Sequence, residues 1–138
     1  MKKYLIASLY IVAEIVLYAI YSDQQASFHW FTHFLVGGSV ALLGFCIWIM
    51  TTHRSVGWPL LWVYLAHIFA MVPDFLYNYA HIPHKPWMDV FMGHLSSHFI
   101  PGRNWTWYVV FMLTLGIYLA LAQKYVNASD KSSQTSSA

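Results

Sequence analysis

The chain has 138 residues, 59% of them hydrophobic and 19% aromatic, with only 9% charged and a net charge of +2. That balance excludes an ordinary water-soluble domain, which would expose large apolar patches, and makes the bilayer the expected solvent. The small charge, without a basic stripe, excludes nucleic acid as a partner, and the single Cys46 excludes an intramolecular disulfide.

Four segments are long and apolar enough to cross a membrane. The first runs from about Tyr4 to Tyr21 behind the basic start Met1-Lys2-Lys3. Glu14 interrupts its apolar body, and Ser22 to Ala26 offers a poor small-x-small pattern, so a retained helix is expected over a cleaved signal peptide. The second runs from about Phe34 to Met50, the third from Trp58 to Tyr79 and the fourth from Trp105 to Val126. Trp30, Trp58, Trp105, Trp107 and Tyr108 gather near the span ends as an interfacial belt. Between the third and fourth spans, Pro86 suits a first helical turn and Pro101-Gly102 a stop, which predicts a short interfacial helix from about Pro86 to Phe99. The expected fold is an all-α integral membrane domain over residues 1–126, with four transmembrane helices and that interfacial helix. Residues 127–138, NASDKSSQTSSA, read as a disordered polar tail.

Basic residues set the orientation. Lys2, Lys3, Arg54, Lys124 and Lys131 fall on one side, and only Lys85 and Arg103 on the other. The positive-inside rule then places both termini in the cytoplasm of a bacterial cell, with the protein in the inner membrane. Six of the eight histidines, His29, His33, His81, His84, His94 and His98, share the outer side. Asp74, at the outer end of the third span, can join them. His53 sits in the opposite turn and reads as solvated. His67 lies near mid-membrane, where Glu14 is its natural partner, unless it orients a ligand from behind.

Imidazole and carboxylate are the side chains that bind divalent metals and move protons near neutral pH. His29/His33 and His94/His98 are H-x3-H pairs, which on a helix put both rings on one face, about 6 Å apart at Cβ. No H-E-x-x-H is present, so a zincin-type site has no support. His67, Met71, Asp74, Asn78 and His81 would share one face of the third span and its extension, and Asp74 would be costly against hydrocarbon. Candidate metal ligands are therefore His33, Asp74, His94, His98, His29 and His81, with Zn²⁺ the first expectation. Asp89 and His84 are the candidate proton carriers, although Asp89 equally suits a helix start. Lys85 and Arg103 flank the site and suit an anionic head group.

His33-Phe-Leu-Val-Gly37 opening a span, Val72-Pro73-Asp74 closing another, and the histidine-rich segment after it resemble the membrane-bound metal-dependent hydrolase family, which includes inner-membrane proteins described as LexA-binding. The resemblance covers roughly residues 33 to 98. Two departures stand out: Leu76 occupies the place of a second acid, and Leu95 the place of an arginine after the first late histidine. The resemblance implies a small multi-span helical protein with His33, Asp74, His94 and His98 as metal ligands. The expected function is a membrane-embedded, metal-dependent hydrolase acting at the outer face on an ester or phosphoester of a lipid or lipid-linked substrate. Two alternatives stay open: a b-type haem or electron-transfer protein, and a non-catalytic metal-binding or proton-responsive subunit.

Overall fold

Apolar runs unbroken by charge fold as helices in a bilayer, because hydrocarbon offers no partner to a backbone N–H or C=O. In the computed structural model of the chain, residues 2–21, 27–102 and 104–135 are described, with side chains at 4–20, 30–102 and 104–125. The elements are α1 (Lys2–Tyr21), α2 (Ser27–Thr52), α3 (Pro59–Ala80), a 3₁₀ turn (Pro86–Val90), α4 (His94–His98) and α5 (Asn104–Thr135). No strand occurs among the described residues. Three stretches, Trp30–Thr52, Pro59–Ala80 and Asn104–Tyr125, are long and apolar enough to cross a membrane. The fourth expected span corresponds to α1, of which Tyr4–Ile20 is an apolar helix among the residues whose side chains are described.

Helix α2 is the axis of the bundle. Against it α3 runs antiparallel, with Gly37 on Ala66 and His33 on Asp74. α5 runs parallel to α2, with Phe34 on Phe111 and Phe45 on Tyr118. α1 is parallel to α3 and meets it at Tyr10–Tyr64, Glu14–His67 and Leu17–Met71. The outer faces stay apolar and exposed, as at Ile15, Ile47, Trp62 and Leu113, which is the face lipid requires.

Two adjacent glycines set the spacing. A Cβ on Gly37 would stand 2.7 Å from the Ala66 carbonyl oxygen, and one on Gly38 would stand 2.7 Å from the Phe111 ring. Small residues let helices approach closely in a membrane, where packing replaces the hydrophobic effect as the driving force. α3 and α5 therefore close on α2 from two sides at one level, a single turn from His33.

Two local departures from the sequence expectation shape the end of the bundle where α3 stops. α3 stops at Ala80 with His81 in the left-handed region at φ 54°, and its N–H bonds back to the Leu76 carbonyl. The expected helix over 86–99 is two pieces, because Met92 (φ 57°) and Gly93 (φ 68°) are both left-handed. At the other end, α5 is helical to Thr135 and so enters the polar segment 127–138, whose side chains lie outside the described ones.

Candidate metal centre

One end of the bundle gathers five side chains from four places in the chain. His33 comes from α2, Asp74 from α3, His84 from the following loop, and His94 and His98 from the two ends of α4. Their donor atoms form two sets, His33/His94/His98 and Asp74/His84/His94, and within each set they lie within 4.8 Å of one another.

Asp74 is the centre. It is 5% exposed and follows Pro73 inside α3. Proline removes one N–H from the helix ladder and bends the helix at that point. The carboxylate meets three imidazoles: Oδ2 is 3.0 Å from His33 Nε2, and Oδ1 is 3.2 Å from His84 Nε2 and 3.3 Å from His94 Nε2. The rings form a column. His33 stacks on His94 at 4.4 Å and 10°, and His94 on His84 at 5.1 Å and 5°. His98 stands edge-on to both His33 and His94 at 5.4 Å.

His94 fixes the chemistry of this arrangement. Its Nδ1 lies 3.1 Å from the Ala70 carbonyl oxygen. A carbonyl only accepts, so Nδ1 carries the hydrogen, and in the neutral ring Nε2 presents a lone pair. That lone pair faces a carboxylate oxygen, and two acceptors turned toward each other require a cation between them, either a proton or a metal ion. Metal-binding histidines are held in this way, with the far ring nitrogen donating to a carbonyl or carboxylate. Ligand atoms around a tetrahedral Zn²⁺ at 2.0–2.1 Å stand roughly 3.3 Å apart. The Asp74 contacts already have that spacing, and the donor set fits a divalent ion.

The surroundings hold the donors in place. Ser97 donates from Oγ to the His94 carbonyl at 2.8 Å, and Trp107 of α5 donates from Nε1 to the Ser97 carbonyl at 3.2 Å. Thr32, next to His33, donates its hydroxyl to Asn104 Oδ1 at the start of α5. Phe91 packs on Phe69 at 5.0 Å, and Met88 is fully buried beneath the 3₁₀ turn.

Of the residues expected from sequence, His33, Asp74, His94 and His98 come together. His84, expected as a proton carrier, stands at ligand distance from Asp74, with a side chain 30% exposed and its ring against Tyr77. His81 is exposed beyond the end of α3 and belongs to neither donor set. His29 lies on the first turn of α2, and its side chain is outside the described ones, as is Arg103. Asp89 is the cap of α4. Its Oδ1 accepts the N–H groups of Leu95 (2.7 Å) and Ser96 (2.9 Å), and its Oδ2 accepts the Ser96 hydroxyl (2.6 Å). The Ser96 hydroxyl bond, followed by the backbone bonds, holds the Asp89 carboxyl below its ordinary range. Lys85 is exposed beside His84.

No protein-family model matches the chain, nor does any curated protein or solved structure.

Proposed function

We propose that the protein is a membrane-embedded, metal-dependent hydrolase whose centre is the Asp74 cluster, with Zn²⁺ as the metal. The observation that carries this reading is His94 Nε2 at 3.3 Å from Asp74 Oδ1, with Nδ1 already committed to the Ala70 carbonyl. A divalent ion bound here supplies a Lewis acid and lowers the pKa of a coordinated water toward neutrality. The chain's own residues do the rest. The Ala70 carbonyl orients His94, burial of Asp74, His33 and His94 keeps bulk water from the inner donors, and His84 forms the edge open to solvent.

The same reading takes α1 as a fourth span, both termini as cytoplasmic and the cluster as outward-facing in a bacterial inner membrane, in keeping with the basic residues. It makes the substrate a lipid. An apolar groove of about 640 Å³ runs between α2 and α3, walled by Phe45, Trp48, Trp62 and Phe69, and reaches Met92, two residues before His94. Gly44 lines it, and a Cβ there would meet nothing within 4 Å. A haem has less support, because axial imidazoles point nitrogens at each other across iron, whereas His33 and His94 stack face to face.

The test is metal analysis of detergent-purified protein together with hydrolysis of long-chain nitrophenyl ester and phosphoester substrates. Bound zinc, activity lost on chelation and activity restored by zinc are expected. A Soret band, or activity indifferent to chelator, would defeat the proposal.

A further inference from the structure

The donors around Asp74 fall into two sets, Asp74/His84/His94 and His33/His94/His98, and in each the donor atoms lie within 4.8 Å of one another. Both sets need His94, whose Nδ1 is bonded to the Ala70 carbonyl and which has only Nε2 left for a metal. An ion in one set therefore leaves the other short of a ligand. Three observations separate them. The first is spacing. Two imidazoles bound end-on to one tetrahedral ion at 2.0–2.1 Å hold their ring centres about 5 Å apart. His84 and His94 stand at 5.1 Å, with each Nε2 beside the same oxygen, Asp74 Oδ1, at 3.2 and 3.3 Å. His33 and His94 are nearly parallel at 4.4 Å, which is the spacing of a ring contact. The second is charge: Asp74 offsets a buried divalent ion, and the all-imidazole set brings no anion. The third is access. A catalytic zinc keeps one position open beyond its three protein ligands, and the His84 side chain is 30% exposed, whereas His33 and His94 are closed to solvent.

We infer that the cluster binds one divalent ion through Asp74 Oδ1, His84 Nε2 and His94 Nε2, and that His33 is a positioning residue. His33 Nε2 lies 3.0 Å from the other carboxylate oxygen, Oδ2. An N–H at that place holds the carboxylate with Oδ1 turned to the ion, as the partners of ligating carboxylates do. His98 stands outside the coordination, edge-on to His33 and His94 at 5.4 Å. The inference rests on the metal-hydrolase reading and narrows it. The open position lies beside His84, whose ring is 5.1 Å from that of Tyr77. The reacting ester of the lipid is therefore presented at the exposed 81–85 loop, and not from the bundle interior.

The experiment loads metal-depleted protein in detergent with Cu²⁺ and counts bound imidazoles by the electron spin echo modulation of their remote ring nitrogens. One ion per chain with two imidazoles is expected, and three imidazoles overturns the assignment. Zn²⁺ affinity, read by competition with a chromophoric chelator, is the second arm. Losing an orienting partner costs 10–100-fold, which is the loss expected of His33→Ala, with the two-imidazole signature kept. His33→Gln, whose amide can still donate to Oδ2, should recover most of that affinity. His84→Ala and His94→Ala should each lose more than about 100-fold, and His98→Ala should leave affinity unchanged. Unaltered affinity in His84→Ala, or a loss in His98→Ala equal to that in His94→Ala, overturns the assignment. The wild-type imidazole count stands even if a variant fails to fold. No bound ion defeats the metal reading itself, and a bound ion without ester hydrolysis defeats only the hydrolase reading.

Discussion

The bundle contains two buried pairings of carboxylate with imidazole, and they differ in how many imidazoles each acid meets. In mid-bundle, Glu14 meets one: Oε2 lies 2.9 Å from His67 Nδ1, with the Tyr10 side chain also bonded to the carboxylate and the His67 ring edge-on to Trp30 and Phe34. At the end of the bundle beyond Pro73, Asp74 meets three imidazoles, with a fourth, His98, beside His33 and His94. One acid with one base closes on itself and ties α1 to α3. One acid among four bases gathers a donor set that a divalent ion could occupy. The lesson is that donor count relative to charge, more than the presence of histidine, separates a structural pair from a binding site.

This contrast can be broken or sharpened by substitution. The largest effect is expected from Asp74→Ala. Loss of a residue that merely orients a ligand costs 10–100-fold in metal affinity, so loss of the central acid should cost more than about 100-fold, read by competition with a chromophoric chelator. Next is Gly37→Val. The new side chain meets backbone at 2.7 Å, and overpacking of that kind costs roughly 1–3 kcal/mol. A lower unfolding temperature and weaker metal binding are expected together, since His33 is one turn away. Gly44→Ala, which meets nothing within 4 Å, is the control and should stabilise by up to about 1 kcal/mol through helix propensity. Glu14→Ala leaves buried His67 Nδ1 without its acceptor, at a cost of roughly 1–3 kcal/mol, with metal content unchanged. Metal loss in that variant would mean that the two regions are one functional unit.

The smallest effect concerns Asp89. Its carboxyl is held below the ordinary range in the folded protein, so the stability it contributes is present above the ordinary carboxylate pKa and lost as pH falls through the lowered value. Asp89→Asn should remove this acid-limb dependence, seen in unfolding temperature measured on metal-free protein from pH 6 down to 3. Metal-free protein is needed because protons also compete with metal for imidazole.

Much of the site was legible because membrane topology does the sorting. Asp74 was found from the cost of a carboxylate in a span, and His33, His94 and His98 from lying on its side. His81 and His84 are harder to place from sequence, since loop residues obey no period. A periodic face through Asn78 continues to His81 only while the helix does, and the chain turns left-handed there with Pro83 following, which leaves His81 exposed and sets His84 beside Asp74. The break at Met92–Gly93 had one visible signal, a glycine inside a predicted helix. That break frees the Leu95 and Ser96 N–H groups for Asp89, an assignment balanced between cap and base from sequence. The pairing of α2 with α5 had no sequence signal, because the Thr32–Asn104 bond joins residues 72 apart.

The column of imidazoles has a consequence for spectroscopy. His94 lies nearly parallel to two neighbours, His33 at 4.4 Å and His84 at 5.1 Å. Aromatic ring currents shield whatever lies above and below a ring, so the carbon-bound protons of His94 experience the fields of two near-parallel rings. The His94 resonances should be displaced upfield of the other histidines and return toward ordinary positions if either neighbour swings away. A magnetic nucleus in that one ring thus reports the assembled column directly, in detergent or lipid, whether or not a substrate has been found.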